Sequence, residues 1–464
     1  MAKGLKENAL SIVDTLTLAV AGSAPSYSLN ATTAALVAAV GLAGPAALLF
    51  GAIPMFGISF AFKYLNEWRA DAGAAYVWVG RSIAPALGFL AAWTFLLLST
   101  VFMVTAALPL GVATLHLAAP AYESSVPIAA FIGGLWFSGA VALTIGGVHL
   151  AASVQRYMTG FEALALLVLV VAAYLRFSAA PVHPFSLAWF SPAAFGDVDT
   201  FMRGMLVAVF YYFGWDVTSN VAEEAQGKGE SGGLSGVIGM VGIMCALIAV
   251  QVAVQTGMSV ETVEQHGANI LGALGDAVLP QPWSNIAVLA VVLSTVGTID
   301  TQLTQCARLL YAMGRDRVMD PRFAEIHPRF QTPWLAGVVI WLLSIVLIAL
   351  SSASDSVGGV MAQLISAIGV MVSIYYGLTG AACVWYYRRT LTRTAGTLVM
   401  RGLWPGLSAA FLLYLGVRQT VELGRDVVGL TVLALALGLP LMAFYRARFG
   451  AAFYTEPSEH DPAA

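Results

Sequence analysis

Ala21-Gly22-Ser23-Ala24-Pro25-Ser26 interrupts an apolar run that extends over 12–40. One straight crossing of a bilayer needs about 20 residues, so the run is too long for a single unbroken helix. Pro25 removes a backbone donor and blocks the preceding helical turn. Gly22 relaxes the backbone, and Ser23 and Ser26 offer hydroxyls to the freed carbonyls. Irregular backbone at membrane depth is tolerated only where the freed groups line a cavity or meet protein. Taken alone, the stretch also reads as a simple proline kink.

A second interruption changes its weight. Phe210-Tyr211-Tyr212-Phe213-Gly214-Trp215-Asp216-Val217-Thr218-Ser219-Asn220 starts as an apolar helix and stops at Gly214, still too short to cross; Asp216 and a polar stretch follow, ending in Glu223-Glu224. Interrupted segments at corresponding places in two halves are the best sequence pointer to a transporter's binding site. The two lie in the first and sixth apolar segments. Five is odd, so a second copy of a five-helix unit enters the membrane from the other side. This predicts an inverted repeat, with the broken ends facing each other near the midplane. Helix N-termini there favour a carboxylate, and C-terminal carbonyls favour a cation.

The rest of the chain fits this frame. Only 10% of its 464 residues are charged and 59% are hydrophobic. That excludes a disordered chain, a collagen, a disulfide scaffold and an ordinary soluble enzyme. Twelve runs suit membrane helices: 12–40, 44–62, 87–116, 127–148, 158–177, 200–222, 236–257, 284–307, 334–350, 359–387, 403–418 and 427–445. They are continuous rather than alternating, which excludes a β-barrel. With the N-terminus inside, 18 of the 22 Lys and Arg fall in inside loops and 4 (Arg176, Arg203, Arg418, Arg425) outside, a strong positive-inside pattern. Lys3 and Lys6 are followed by Glu7 and Asp14, and the apolar run outlasts a signal peptide's, so the first helix is read as retained.

The predicted fold is therefore an all-α membrane protein with 12 transmembrane helices, in a 5+5 inverted repeat plus two extra helices, with helices 1 and 6 broken. Residues 1–453 form one transporter domain, with repeats at about 10–180 and 198–390 and the extra helices at about 400–450. Residues 454–464 form a cytoplasmic tail, expected to be disordered. Both ends lie in the cytoplasm, and the inner or plasma membrane is the expected location. Cys245, Cys306 and Cys383 lie in apolar runs and are expected to be buried.

At this point the sequence resembles the amino acid–polyamine–organocation permeases, which share the LeuT-like architecture. The resemblance covers most of the chain. Gly22-Ser23-Ala24-Pro25 is similar to the family's unwound site. Ala72-Gly73-Ala74-Ala75-Tyr76-Val77-Trp78 resembles its small-residue stretch before helix 3, and Phe213-Gly214-Trp215-Asp216 with Ala222-Glu223-Glu224 its helix 6 signature. The most specific match is Cys306-Ala307-Arg308-Leu309-Leu310-Tyr311-Ala312-Met313-Gly314-Arg315-Asp316, followed by His327-Pro328 and Thr332-Pro333-Trp334. The resemblance implies substrate contacts at Gly22, Ser23, Ala24, Pro25, Ser26, Phe210, Phe213, Gly214, Trp215 and Asp216, with Phe210 closing over the substrate and Trp215 as pocket wall. The sequence departs from the family in two places. Ala24 and Pro25 replace part of a glycine-rich break whose amides hold a carboxylate. Where many proton-coupled members carry a helix 5 lysine, this chain has Glu162.

Ionisable groups at depth cost roughly 2.5–3.5 kcal/mol each, so they usually mark function. The candidates are Glu162, Asp216 and Asp300, with Asp14 nearer the cytoplasmic end. Asp216 is read either as a substrate or proton contact or as a structural acceptor. Asp300 lies eight residues before Arg308, about 12 Å of helix. Glu162 and Asp300 are candidates for one shared ion-coupling site, taking a proton, a sodium ion or a substrate amine. All six histidines lie at segment ends, in loops or in the tail, so a histidine relay is not expected. Gly233, Gly236, Gly239 and Gly242 recur every three residues and read as close helix packing. Arg315-Asp316-Arg317 is read as a solvated loop or part of an inner gate.

No nucleophile–base pair, metal cluster or phosphate loop is found, so the chain is read as a transporter and not an enzyme. No cofactor, metal, nucleic acid or obligatory protein partner is expected. The partners are membrane lipid and a small-molecule substrate. The expected function is alternating-access transport of an amino acid, amine or polyamine, with H+ symport favoured; exchange, Na+ symport and a channel are the alternatives.

Overall fold

The computed structural model describes residues 4–267, 269–354, 356–456 and Glu459. Lys3, Asp355 and His460 lie outside the described residues. The described residues are mostly helical and hold no strand beyond an isolated bridge between Leu10 and Ala225.

The first apolar run forms two helices, α1 (Ile12–Ser23) and α2 (Pro25–Val40). The start of α1 is fixed by a capping box: the Asp14 amide donates to Ser11 Oγ at 3.2 Å, and the Ser11 amide to Asp14 Oδ2 at 2.9 Å. The break is sharper than expected. It is concentrated in Ala24, which sits in left-handed conformation at φ 45°. Pro25 is the first residue of α2, where its missing donor costs nothing. Gly22 stays within α1 and does not unwind.

Next come α3 (Gly44–Trp68), the short α4 (Ala75–Ser82), α5 (Pro85–Ala118), α6 (Val126–Ile145) and α7 (Val148–Phe177). The sixth run forms α8 (Val198–Tyr211) and the single turn α9 (Val217–Asn220). The loop between them contains Gly214 at φ 105°, a conformation that favours glycine. After α10 (Lys228–Gly257), the short helices α11 (Val260–Gln265) and α12 (Ile270–Val278) lead to α13 (Asn285–Arg315). The chain continues through α14 (Trp334–Ser351), α15 (Val357–Tyr387) and a short α16 (Ala395–Thr397). It closes with α17 (Trp404–Glu422), α18 (Arg425–Ala436) and α19 (Gly438–Phe449).

Among the described residues, ten stretches are long and apolar enough to cross a membrane. The first, Ile12–Trp68, runs over α1, α2 and α3, while α8 and α9 are each too short to qualify. The twelve expected crossings differ from these ten at those two places. The broken helices are central: α1 packs on α7, α10 and α13, and α2 on α8, α12 and α13. The outside is apolar, with Leu164, Leu167 and Val171 on α7 and Leu342, Leu343 and Val346 on α14 all exposed. An apolar exterior around a polar-containing centre is what a lipid solvent requires.

Two expectations are corrected. Cys306 and Cys383 are buried, but Cys245 is exposed because it lies on the outer face of α10. Of the four spaced glycines, three meet neighbours closely: Gly233 meets the Lys63 backbone, Gly236 the Trp215 ring and Gly239 the Ala19 methyl. A Cβ on Gly242 would meet nothing within 4 Å. Of the tail expected beyond Phe453, residues 454–456 and Glu459 are docked on the domain, and 457, 458 and 460–464 lie outside the described residues. Glu456 pairs with Arg81 and Glu459 with Arg69 at 2.9 Å, because two bases beside α4 offer partners to the acidic end.

Candidate functional site

Gly22 and Gly214 bring the two breaks into backbone contact. A Cβ added to either glycine would overlap the carbonyl group of the other. Each opened helix end is then satisfied by α13. The Gly22 carbonyl accepts from Thr298 Oγ1 at 2.8 Å, and the Tyr27 amide donates to Ser294 Oγ at 3.3 Å. The Ser23 carbonyl takes a bond from Ser28 Oγ at 2.8 Å. The expectation that Ser23 and Ser26 would bond the freed carbonyls is therefore replaced by these partners; their own hydroxyls are buried and make no hydrogen bond among the described residues.

Glu162, on α7, reaches the same break. Its Oε1 accepts from the Ser26 amide at 2.8 Å, at the N-terminus of α2, and the side chain is buried. A helix N-terminus offers unpaired N–H groups and positive potential, so an internal carboxylate is well placed there.

Asp216 is also buried and is enclosed by donors. Tyr376 donates to Oδ1 at 2.9 Å, Tyr375 to Oδ2 at 3.1 Å and Gln305 Nε2 to Oδ2 at 3.1 Å. The Tyr376 oxygen in turn accepts from the Gly214 amide at 3.4 Å. Asp216 therefore ties α15 and α13 to the helix 6 break in this conformation.

Asp300 is elsewhere. Thr144 of α6 donates to its Oδ1 at 2.6 Å, and its buried Oδ2 has no hydrogen bond among the described residues. Ser294, beside the Glu162 site, is six residues back along α13, about 9 Å of rise and a different face. Glu162 and Asp300 thus have separate partners, and the structure does not bring them into one site.

Phe210 and Tyr27 line a cavity of about 490 Å³ between α2, α5, α8 and α15. Its walls include Asn30, Pro109, Ile365 and Gly369, and its lining contains Arg203 but, among the described residues, no Asp or Glu. Phe213 packs on Phe102 and Tyr376. Trp215, read as pocket wall, does not line this cavity. It stacks on Tyr376 with ring centroids 6.0 Å apart and meets Phe62 edge-on.

The opposite end of the breaks, where the N-terminal residues lie, is closed. Arg308 makes a two-pronged buried pair with Glu224, at 2.8 and 3.2 Å. Arg315 binds Asp71 at 2.8 Å and Glu223 at 3.1 Å. Leu10 exchanges backbone bonds with Glu224 and Gln226. Arg315 is thus part of a closed end rather than a solvated loop. Among the described residues, no group of three or more His, Cys, Asp or Glu is arranged to hold a metal ion.

The residues that sequence reasoning missed are mostly on α13 and α15. Ser294, Thr298, Thr301 and Gln305 are spaced as one helix face, a polar stripe that periodicity alone could have marked. The Tyr375-Tyr376 pair carried no such signal.

An all-helical chain with membrane-length apolar helices and two interrupted helices in contact at its centre is an integral membrane protein of the permease type. A family model described as amino acid permease matches residues 12–433. The chain belongs to that family, within the amino acid–polyamine–organocation superfamily. It is 27% identical over 225 residues to human cationic amino acid transporter 4, which covers 47% of this chain and 34% of that one. It is 23% identical over 359 residues to the branched-chain amino acid permease of Lactococcus lactis, covering 73% of this chain and 74% of that one. A third relative, the methylthioribose transporter of Bacillus subtilis, is 29% identical over 146 residues, 30% of this chain and 31% of that one.

Proposed function

We propose that this protein is a secondary active permease that carries an amino acid with an uncharged side chain across the membrane by alternating access. The observation that carries the reading is the cavity beside the breaks, where Tyr27, Phe210 and aliphatic side chains line most of the wall, with Arg203 and a few uncharged polar groups and, among the described residues, no carboxylate. An apolar pocket with a few polar groups suits a small hydrophobic solute. The relative named for branched-chain amino acids is in keeping with this reading. The relative named for cationic amino acids supports the second reading, an amine-rich substrate, and the buried acids Asp216 and Glu162 favour it.

In this proposal the chain has twelve crossings in a 5+5 inverted repeat plus two, and the breaks bind substrate while the helices around them rock. The closed end with Arg308, Glu224 and Arg315 faces the cytoplasm of a plasma-membrane protein, and the cavity faces outward. Glu162 and Asp300 are the proton-coupling carboxylates; sodium symport and exchange are the alternatives. The test is a thermal-shift screen of purified protein against amino acids, diamines and monoamines, followed by counterflow in proteoliposomes with and without a pH gradient. Ligand binding stabilises the folded state by mass action. Stabilisation by leucine-like amino acids, with uptake driven by an inward proton gradient, supports the proposal. Stabilisation by diamines alone would replace it with the amine reading.

A further inference from the structure

The Ser26 amide, at the start of α2, already holds a carboxylate, and that carboxylate belongs to the protein. Glu162 Oε1 accepts from it at 2.8 Å. The Ser26 and Ser294 hydroxyls face the same carboxylate. The Ser26 hydroxyl is fully buried, and no other partner within hydrogen-bond distance is found for it among the described residues. Donors are thus gathered around one anion.

The next residue, Tyr27, lines the cavity. Ser26 and Glu162 are buried just behind it, and an amino acid that carries its carboxylate to this helix start meets N–H groups and a dipole that favour an anion. Two carboxylates cannot both stay charged there in low dielectric without a cation. No salt bridge reaches Glu162 among the described residues. Among the described residues, the acids and arginines on the elements packed against α7 are engaged elsewhere or exposed. Asp14 of α1 pairs with Arg156 of α7 itself, and Arg308 of α13 pairs with Glu224. Arg315 of α13 pairs with Asp71, and Asp300 of α13 accepts from Thr144. On α12, Asp276 accepts from Gln281, and on α10, Glu230 and Cys245 are exposed.

We propose that Glu162 is a built-in stand-in for the substrate carboxylate, and that it yields the α2 N-terminus to the substrate by taking up a proton. The site then holds one negative charge throughout. Empty, the charge is on ionised Glu162. Occupied, it is on the substrate, and Glu162 is a neutral acid that has given up the Ser26 amide. One proton enters for each substrate carboxylate bound. This rests on the amino acid transport reading and adds the reason a proton travels with the substrate.

The test uses full-length protein in detergent with L-leucine and L-leucinamide, which differ in the carboxylate. Titration calorimetry in two buffers of different ionisation enthalpy counts the protons. Leucine is expected to bind with uptake of about one proton, and above the titration range its affinity falls about tenfold per pH unit. Leucinamide is expected to bind with no proton uptake; if it fails to bind at all, the carboxylate requirement is met directly and the leucine count alone decides. Glu162→Gln, which mimics the neutral acid, is expected to bind leucine with no proton uptake and no pH dependence. Leucine binding to the unaltered protein without proton uptake overturns the inference and leaves the transport reading standing. Equal uptake with leucinamide, or uptake persisting in Glu162→Gln, also overturns it. Absence of leucine binding removes the amino acid reading, and this inference with it. The ligand pair needs no variant, so the inference is tested even if Glu162→Gln folds poorly.

Discussion

Gly22 and Gly214 touch through their backbones, although 192 residues of chain separate them, and this contact joins the two helix breaks. The two glycines serve different needs. Gly22 is helical and gives only space, while Gly214 gives space and a positive φ of 105°. Gly22→Ala is expected to destabilise by about 1–3 kcal/mol through overpacking against an immobile carbonyl. Gly214→Ala is expected to be worse, since backbone strain adds to the overlap. Gly242→Ala, where a methyl meets nothing within 4 Å, is expected to be neutral or mildly stabilising. Melting temperatures of the three purified variants check the order; equal loss at Gly22 and Gly242 would show that the contact does not matter.

Tyr375 and Tyr376 both donate to Asp216, but only Tyr376 also accepts from the Gly214 amide. Tyr376→Phe leaves Asp216 Oδ1 and the Gly214 amide without that partner, whereas after Tyr375→Phe Asp216 Oδ2 keeps its bond from Gln305. At about 1–3 kcal/mol per unsatisfied buried group, Tyr376→Phe is expected to lower stability and transport more. Counterflow rates and melting curves of the two variants make the comparison, and the reverse order would remove Tyr376 from its role in holding the break.

Much of this arrangement was legible in the sequence, for a physical reason. Bilayer-length apolar runs, a proline in mid-run and a glycine followed by an acid are local signals. They locate α1, α2, α8 and α9 without any knowledge of packing. The partners were less legible. Whether Asp216 meets substrate or Tyr376 depends on how α15 is turned, and nothing within residues 210–220 encodes that. The same holds for Glu162 and Asp300, both acids at depth. Their different neighbours, the Ser26 amide and Thr144, follow from which face of α7 and α13 each occupies. The length of α7, which begins at Val148 and not 158, was hidden because its first turns carry Gln155 and Arg156.

Arg308 and Glu224 form a buried, two-pronged ion pair, each with side-chain exposure of 1% or less. Removing one partner leaves the other charge uncompensated. Arg308→Ala is therefore expected to cost about 3–5 kcal/mol. Replacing both, as in Arg308→Met with Glu224→Met, is expected to recover most of that loss, because two apolar side chains need no pairing. Thermal unfolding of the single and double variants gives the answer. A double variant as unstable as the single would mean that the pair is held by more than its mutual charge, with the Leu10 backbone bond to Glu224 the first place to look.

Glu223, next in the chain, tests the sign of a second pair. It binds Arg315 and the Ala72 amide, which invites the view that its charge stabilises the closed end. Burial raises its pKa, and the neighbouring Asp71 charge adds to this, against the lowering by the Ala72 amide and Arg315. A raised carboxyl pKa means that the folded protein holds the proton more tightly than the unfolded chain. The stabilisation is then fully present below the unfolded value of about 4.3 and is lost as pH rises through the raised folded value. Ionised Glu223 is therefore a net cost at neutral pH, and the uncharged Glu223→Gln is expected to melt higher than the unaltered protein at about pH 7.5 and equally at about pH 4. Melting curves across that range decide it. A lower melting temperature for Glu223→Gln at neutral pH would mean that Arg315 outweighs burial, and that the closed end is held by charge on Glu223 after all.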